Sequence, residues 1–121
     1  MPYKMQKLEE GIRAAASFID AVNKKDAVLL ESLLDDHCVL QTWCKDEIVN
    51  GKKAVCGYFS ANFLQNPRLS ITVKEIHNMG KKCILLCSIH NEDSDSSNIP
   101  GMMFFEVRNT KIIGMNFFAK N

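Results

Sequence analysis

The side chains best suited to moving a proton at neutral pH are three histidines, His37, His77 and His90. His77 follows Glu75 by two residues, which puts both on one face of an extended strand. A carboxylate there raises the basicity of the imidazole, although a solvated pair at a strand end has the same spacing. His90 alternates in phase with Ile84, Leu86 and Ser88, so it is the acid/base candidate that shares a face with apolar neighbours. With His90 as acid/base, Gln41 and Tyr58 are the candidate orienting hydrogen-bond groups. The cysteines point away from chemistry. Cys38, Cys44 and Cys56 lack zinc-motif spacing. Cys83 and Cys87 lie about 13 Å apart along a strand, too far to share a disulfide or a metal ion. Residues 93–98 brush against a calcium-loop pattern, but Asn98 and Phe104 stand where the glycine and the glutamate are needed. No metal and no cofactor is expected.

The elements that must position these groups follow from periodicity. Met5, Leu8, Ile12, Ala15, Ile19 and Val22 recur every three or four residues and predict a helix over about 5–23, with Phe18 widening its apolar stripe. Asp26 is placed to N-cap a second helix over Ala27 to Leu34. His37 to Trp43 reads as a strand, Asn50-Gly51 as a turn, and Lys52 to Leu64 as a third helix stopped by Asn66-Pro67. Leu69, Ile71 and Val73 alternate with polar residues, and Met79-Gly80-Lys81 turns the chain into Lys82 to His90, which is apolar on both parities. An acidic, serine-rich loop follows, then a hairpin of Met102 to Arg108 and Lys111 to Lys120 about Asn109-Thr110. Helices first and an antiparallel meander last say α+β, in one domain over 1–121.

Bulk properties exclude several classes. The hydrophobic fraction is 46% and the charged fraction 24%, which is ordinary for a globular domain. A net charge of +1 with basic runs no longer than Lys24-Lys25 offers no field for nucleic acid or an anionic membrane. No apolar run has membrane-span length, and the N-terminus has no signal-peptide pattern. Five cysteines, an odd number set in apolar segments, suit a reducing compartment. A cytoplasmic location is expected.

The phrase Phe18-Ile19-Asp20-Ala21-Val22-Asn23-Lys24-Lys25-Asp26 is followed by Leu29 to Asp36 and a strand, then by Asn50-Gly51-Lys52-Lys53-Ala54-Val55-Cys56-Gly57-Tyr58-Phe59. This ordered set resembles the nuclear transport factor 2-like superfamily, the SnoaL-like and ketosteroid isomerase-like domains, over about residues 8–119. The resemblance implies a cone: three N-terminal helices packed on a strongly curved, mainly antiparallel sheet. It also implies a homodimer formed through the sheet. It does not imply one activity, because one fold hosts many. Isomerase relatives need a carboxylate base and two acid donors around an enolate. Paired with this chain, the base falls on Gln41, the first-helix tyrosine on Phe18, its supporting tyrosine on Phe59 and the aspartate on Met103, none of which carries the needed group.

In such a cone the expected pocket lining is Phe18, Val39, Gln41, Tyr58, Phe59, Ile84, Leu86, Ser88, Met103, Phe105, Met115 and Phe117, either around an apolar ligand or simply packed solid. The opposite row, Cys83, Leu85, Cys87 and Ile89, then looks outward as the dimer face. Three readings stay open: a small hydrophobic ligand in the cone, a non-enzymatic homodimeric association module, or an isomerase, dehydratase or cyclase using His90.

Overall fold

A computed structural model describes residues 10–42, 47–92 and 98–119. The elements run α1 (Glu10–Asn23), α2 (Ala27–Leu33), β1 (Leu34–Thr42), β2 (Glu47–Asn50), α3 (Lys52–Phe59) continued by a π-helical turn (Ser60–Leu64), β3 (Leu69–Met79), β4 (Lys82–Asn91), β5 (Asn98–Arg108) and β6 (Lys111–Ala119). Three helices therefore pack on one curved six-stranded sheet of order β2-β1-β6-β5-β4-β3. Every neighbouring pair is antiparallel except β1 with β6, which is parallel. The α+β class and the mainly antiparallel cone are those expected. The strand β2 was not anticipated: at four residues, beside a turn signal, it is too short to show an alternation. Trp43, Cys44 and the calcium-like stretch 93–97 lie outside the described residues.

From Ala15 to Val22 the stripe predicted for the first helix is the one it buries; Ile12 is half-buried, and Met5 and Leu8 lie outside the described residues. Ala15, Phe18, Ile19 and Val22 are buried against the sheet, with Ala14 and Ala21 beside them. Gly11 marks the closest approach of this helix to a strand turn. Its amide donates to the Gly80 carbonyl at 3.0 Å, and a Cβ there would stand 2.9 Å from that same oxygen.

The corner between α1 and α2 is a polar clamp. Asn23 pairs with the edge strand as a backbone would: its Nδ2 donates to the Ile71 carbonyl at 2.8 Å, and its Oδ1 accepts from the Ile71 amide at 2.7 Å. Lys25, in the left-handed region at φ 59°, donates its ammonium to the carbonyls of Phe63 and Leu69. Asp26 caps α2 as expected, accepting from the Leu29 amide at 3.0 Å. The Asn23 to Asp26 phrase thus ties α1, α2, the π turn and β3 together. Burial lowers the pKa of Lys25, because its charge is drawn from water onto the carbonyl dipoles of Phe63 and Leu69.

Removing the clamp tests its weight. Asn23→Ala deletes two partly buried hydrogen bonds and leaves the β3 edge groups without them. A loss of about 1–3 kcal/mol is expected in urea unfolding. An unchanged midpoint would show that water replaces the amide without cost.

Candidate functional site

The pairing register decides which side chains look into the cone. Residues directly opposite on neighbouring strands share a face. One set of rows reads Val49, Leu40, Met115, Phe105, Cys83 and then Thr42, Phe117, Met103, Leu85, Ile76 across β2 or β1, β6, β5, β4 and β3. This is the inner face, covered by the helices. Phe18, Leu40, Phe59, Leu85, Met103 and Phe105 have 0% exposure, and Met115 and Phe117 have 2% and 3%.

These side chains fill the space they bound. The Phe18 ring meets Phe59 edge-on at 4.9 Å and Phe105 at 5.3 Å. Phe59 continues to Phe63 at 6.0 Å, and Phe63 to Phe117 at 6.0 Å. The π turn keeps Phe59 and Phe63 both facing inward. Edge and tilted contacts at these spacings are favourable beyond the area they bury. A residue with no accessible surface adjoins no water-sized void, so the region around Phe18 is packed side chain rather than cavity. Of the expected lining, Phe18, Phe59, Met103, Phe105, Met115 and Phe117 do come together on the inner face, as core. Tyr58 is half-buried, its ring edge-on to Phe59 at 5.2 Å.

The other half of that expectation is reversed. Val39, Gln41, Ile84, Leu86, Ser88 and His90 belong to the outer face. Gln41 stands opposite Ile48 and Asn116, Ile84 opposite His77 and Phe104, Leu86 opposite Glu75 and Met102, and His90 opposite Ser70 and Asn98. Val39 is 38% exposed. His90 therefore cannot act on a molecule inside the cone, and Gln41 cannot orient one there. Conversely Cys83, Leu85, Cys87 and Ile89, expected as the dimer face, are buried in the core at 7% exposure or less. The residue types held a signal for this. On β4 the inner residues from Cys83 to Ile89 are all apolar, whereas the outer set includes Lys82, Ser88 and His90. On β1 the outer set includes His37 and Gln41 against Cys38 and Leu40 within.

Among the described residues the buried polar side chains are Thr42 and Ser88. Thr42 is the inward one and donates its hydroxyl to the Glu47 carbonyl at 3.4 Å. The inward neighbours of Gln41 on β1, Leu40 and Thr42, carry no carboxylate either. His77 Nε2 and Glu75 Oε1 are 3.6 Å apart with both side chains more than half exposed, which makes them a solvated pair. Burial pushes the thiols of Cys38 and Cys87 up to about 11, and Cys56 and Cys83 upward as well. The four described cysteines are free thiols, and as neutral thiols they pack as small hydrophobes. Among the described residues no helix is long and apolar enough to cross a membrane.

A model of the SnoaL-like domain matches residues 15–115. The chain belongs to the SnoaL-like domain family. Its fold is that of the nuclear transport factor 2-like superfamily. A protein of that type and of unknown function from Mesorhizobium loti superposes with a TM-score of 0.82 at 17% identity, over 95% of this chain and 94% of that one. Another, from Burkholderia xenovorans LB400, gives 0.77 at 16% identity, over 98% and 86%. The protein Bal32a from a soil-derived mobile gene cassette gives 0.82 at 14% identity, over 95% and 92%. A search of curated proteins finds no match. At these identities the structural likeness speaks for the SnoaL-like fold and not for an activity.

Two outcomes check the inner face of this SnoaL-like domain. Phe18→Ala should cost about 3–5 kcal/mol in urea unfolding, because the ring's place is left as a cavity; a cost below about 1 kcal/mol would mean the ring borders open space. The thiols give a pH signature. A raised folded pKa means that the native state holds protons the unfolded chain releases, so their stabilisation is complete below pH 9 and is lost as pH rises towards 11. Unfolding free energy should fall across that window, and fall less steeply in Cys87→Ala.

Proposed function

We propose that this SnoaL-like domain is a non-enzymatic association module that pairs with a second copy of itself through the outer face of its sheet. The observation that carries this is the make-up of that face. Ile84, Leu86, Met102, Phe104 and Phe118 are only partly buried there and adjoin through the pairings Ile84 with Phe104, Leu86 with Met102, and Met102 with Phe118. A contiguous apolar patch on a sheet face that none of the described helices covers is a surface suited to a partner.

The surround suits a self-complementary contact. Polar groups rim the patch: Lys82 opposite Glu106 on one side, and Glu75 with His77 along β3. Both signs of charge are present, so that in a two-fold contact, where each patch meets its own image, opposite charges can face one another. A shallow hollow of about 260 Å³, lined by Pro100, Gly101, Met102 and Phe118, gives the patch relief into which a partner's side chain can seat. The filled region around Phe18 supports the non-enzymatic half of the reading, since the described residues of the inner face around it offer neither room nor an acid/base pair for a substrate.

Light scattering behind size exclusion tests the pairing. The wild-type chain should run at twice its 13.7 kDa mass, and Phe104→Lys, a substitution on the outer face, should run as a folded monomer. A monomeric wild type at micromolar concentration, or an undisturbed dimer in the Phe104→Lys and Leu86→Glu variants, would remove the proposal.

A further inference from the structure

Away from both faces of the sheet, a cleft of about 480 Å³ opens between α2, the start of β1 and α3. Its walls are Glu31 from α2, Asp36 from β1, and Lys52, Lys53 and Cys56 from α3. The volume lies within the range of small-molecule sites. We propose that this cleft binds a small zwitterion: one amino-acid-sized molecule carrying an ammonium and a carboxylate on an apolar body.

The charge arrangement selects that class. The four ionised walls sum to zero. Lys52 Nζ and Asp36 Oδ1 lie 3.1 Å apart, with the lysine side chain 29% exposed and the aspartate 81% exposed, so this pair neutralises itself at the mouth. Glu31 and Lys53 form no ion pair among the described residues. After Asp36, Glu31 also acts on Lys52 through space and helps to raise its pKa, but neither Glu31 nor Lys53 is held in a contact pair among the described residues; they are of opposite sign, on opposing helices. A lone carboxylate gains from the lysines but is repelled by Glu31 and Asp36; a lone amine meets the reverse. A molecule with both ends gains at both. Between them the wall is apolar. Cys56 is half-buried and kept protonated, first by burial and then by Glu31, so it acts as a small hydrophobe and not as a nucleophile. The stems of the two lysines extend that wall.

Amide chemical shifts report the site directly. The full-length chain is titrated with leucine, with glycylleucine as a larger zwitterion, and with the two half-molecules of leucine, isoamylamine and 4-methylpentanoate. Saturable shifts confined to Glu31, Asp36 and residues 52–56 are expected for a zwitterion, at about millimolar affinity. Each half-molecule should bind at least about threefold more weakly, the factor that one exposed charge contact supplies. Glu31→Gln should abolish the advantage of leucine over 4-methylpentanoate while keeping its advantage over isoamylamine, and Lys53→Met should do the opposite. Both side chains are exposed, so unchanged spectra elsewhere certify the fold of each variant. Absence of saturable shifts in the cleft with both zwitterions overturns the proposal, as do half-molecules that bind as tightly as leucine. No residue of the cleft lies on the outer sheet face, so the result stands whether the chain is found to be a dimer or a monomer.

Discussion

The edge-on contact of Phe18 with Phe59 and Phe105 is the constraint on which the architecture depends. It brings together one residue from each of α1, α3 and β5, and so sets the distance and tilt of two helices over the sheet. It also sets the pleat. Once Phe105 faces the helices, the antiparallel ladders carry that choice to Met115 on one side and Cys83 on the other, and every second residue of each strand follows. The clamp of Asn23 and Lys25 on β3 and the π turn holds the far end of α1 in the same frame.

Two opposite surfaces result, with different chemistry. The inner one is aromatic and sulfur-rich, dry around Phe18, and its buried thiols stay protonated through the physiological range. The outer one mixes a central apolar patch with charged and polar neighbours. A fold that in general can hold a pocket is here spent on packing where Phe18, Phe59, Met103 and Phe105 meet. That shifts the functional weight to surfaces: the outer face proposed for self-association and the charged cleft proposed for a zwitterion.

Much of this was legible in the residues before any coordinates. The spacing of Ile12, Ala15, Ile19 and Val22 located the first helix, Asp26 announced the cap of the second, and Asn66-Pro67 marked the end of the third. The meander followed from its turn residues, and the ordered phrases from Phe18 to Phe59 pointed to the family. The parity of the strands was not read correctly. Residues 83–87 are apolar on both alternations, so hydrophobicity alone does not choose a side there, and the row ending at His90 reads as well inward as outward. The polar members Lys82, Ser88 and His90 argued for the other side. On β1, Gln41 was set inside by pairing with the base of the isomerase relatives, and a one-residue offset in such a pairing moves a strand residue to the other face. The cleft was invisible for another reason: Glu31, Asp36 and Lys52 are ordinary surface residues until the fold sets three elements side by side.

The central claim is that Leu85 and Phe105, not Leu86 and Phe104, face the helices. Nuclear Overhauser contacts from the Phe18 ring and the Leu85 and Leu86 methyl groups measure this directly. The account predicts Phe18 ring contacts to the Phe105 ring and Leu85 methyl contacts to inner-face side chains such as Met103, with the Leu86 methyls silent towards Phe18, Phe59 and Phe105. Leu86 or Ile84 methyls in contact with the Phe18 ring would contradict it, since the sheet would then present its other side to the helices.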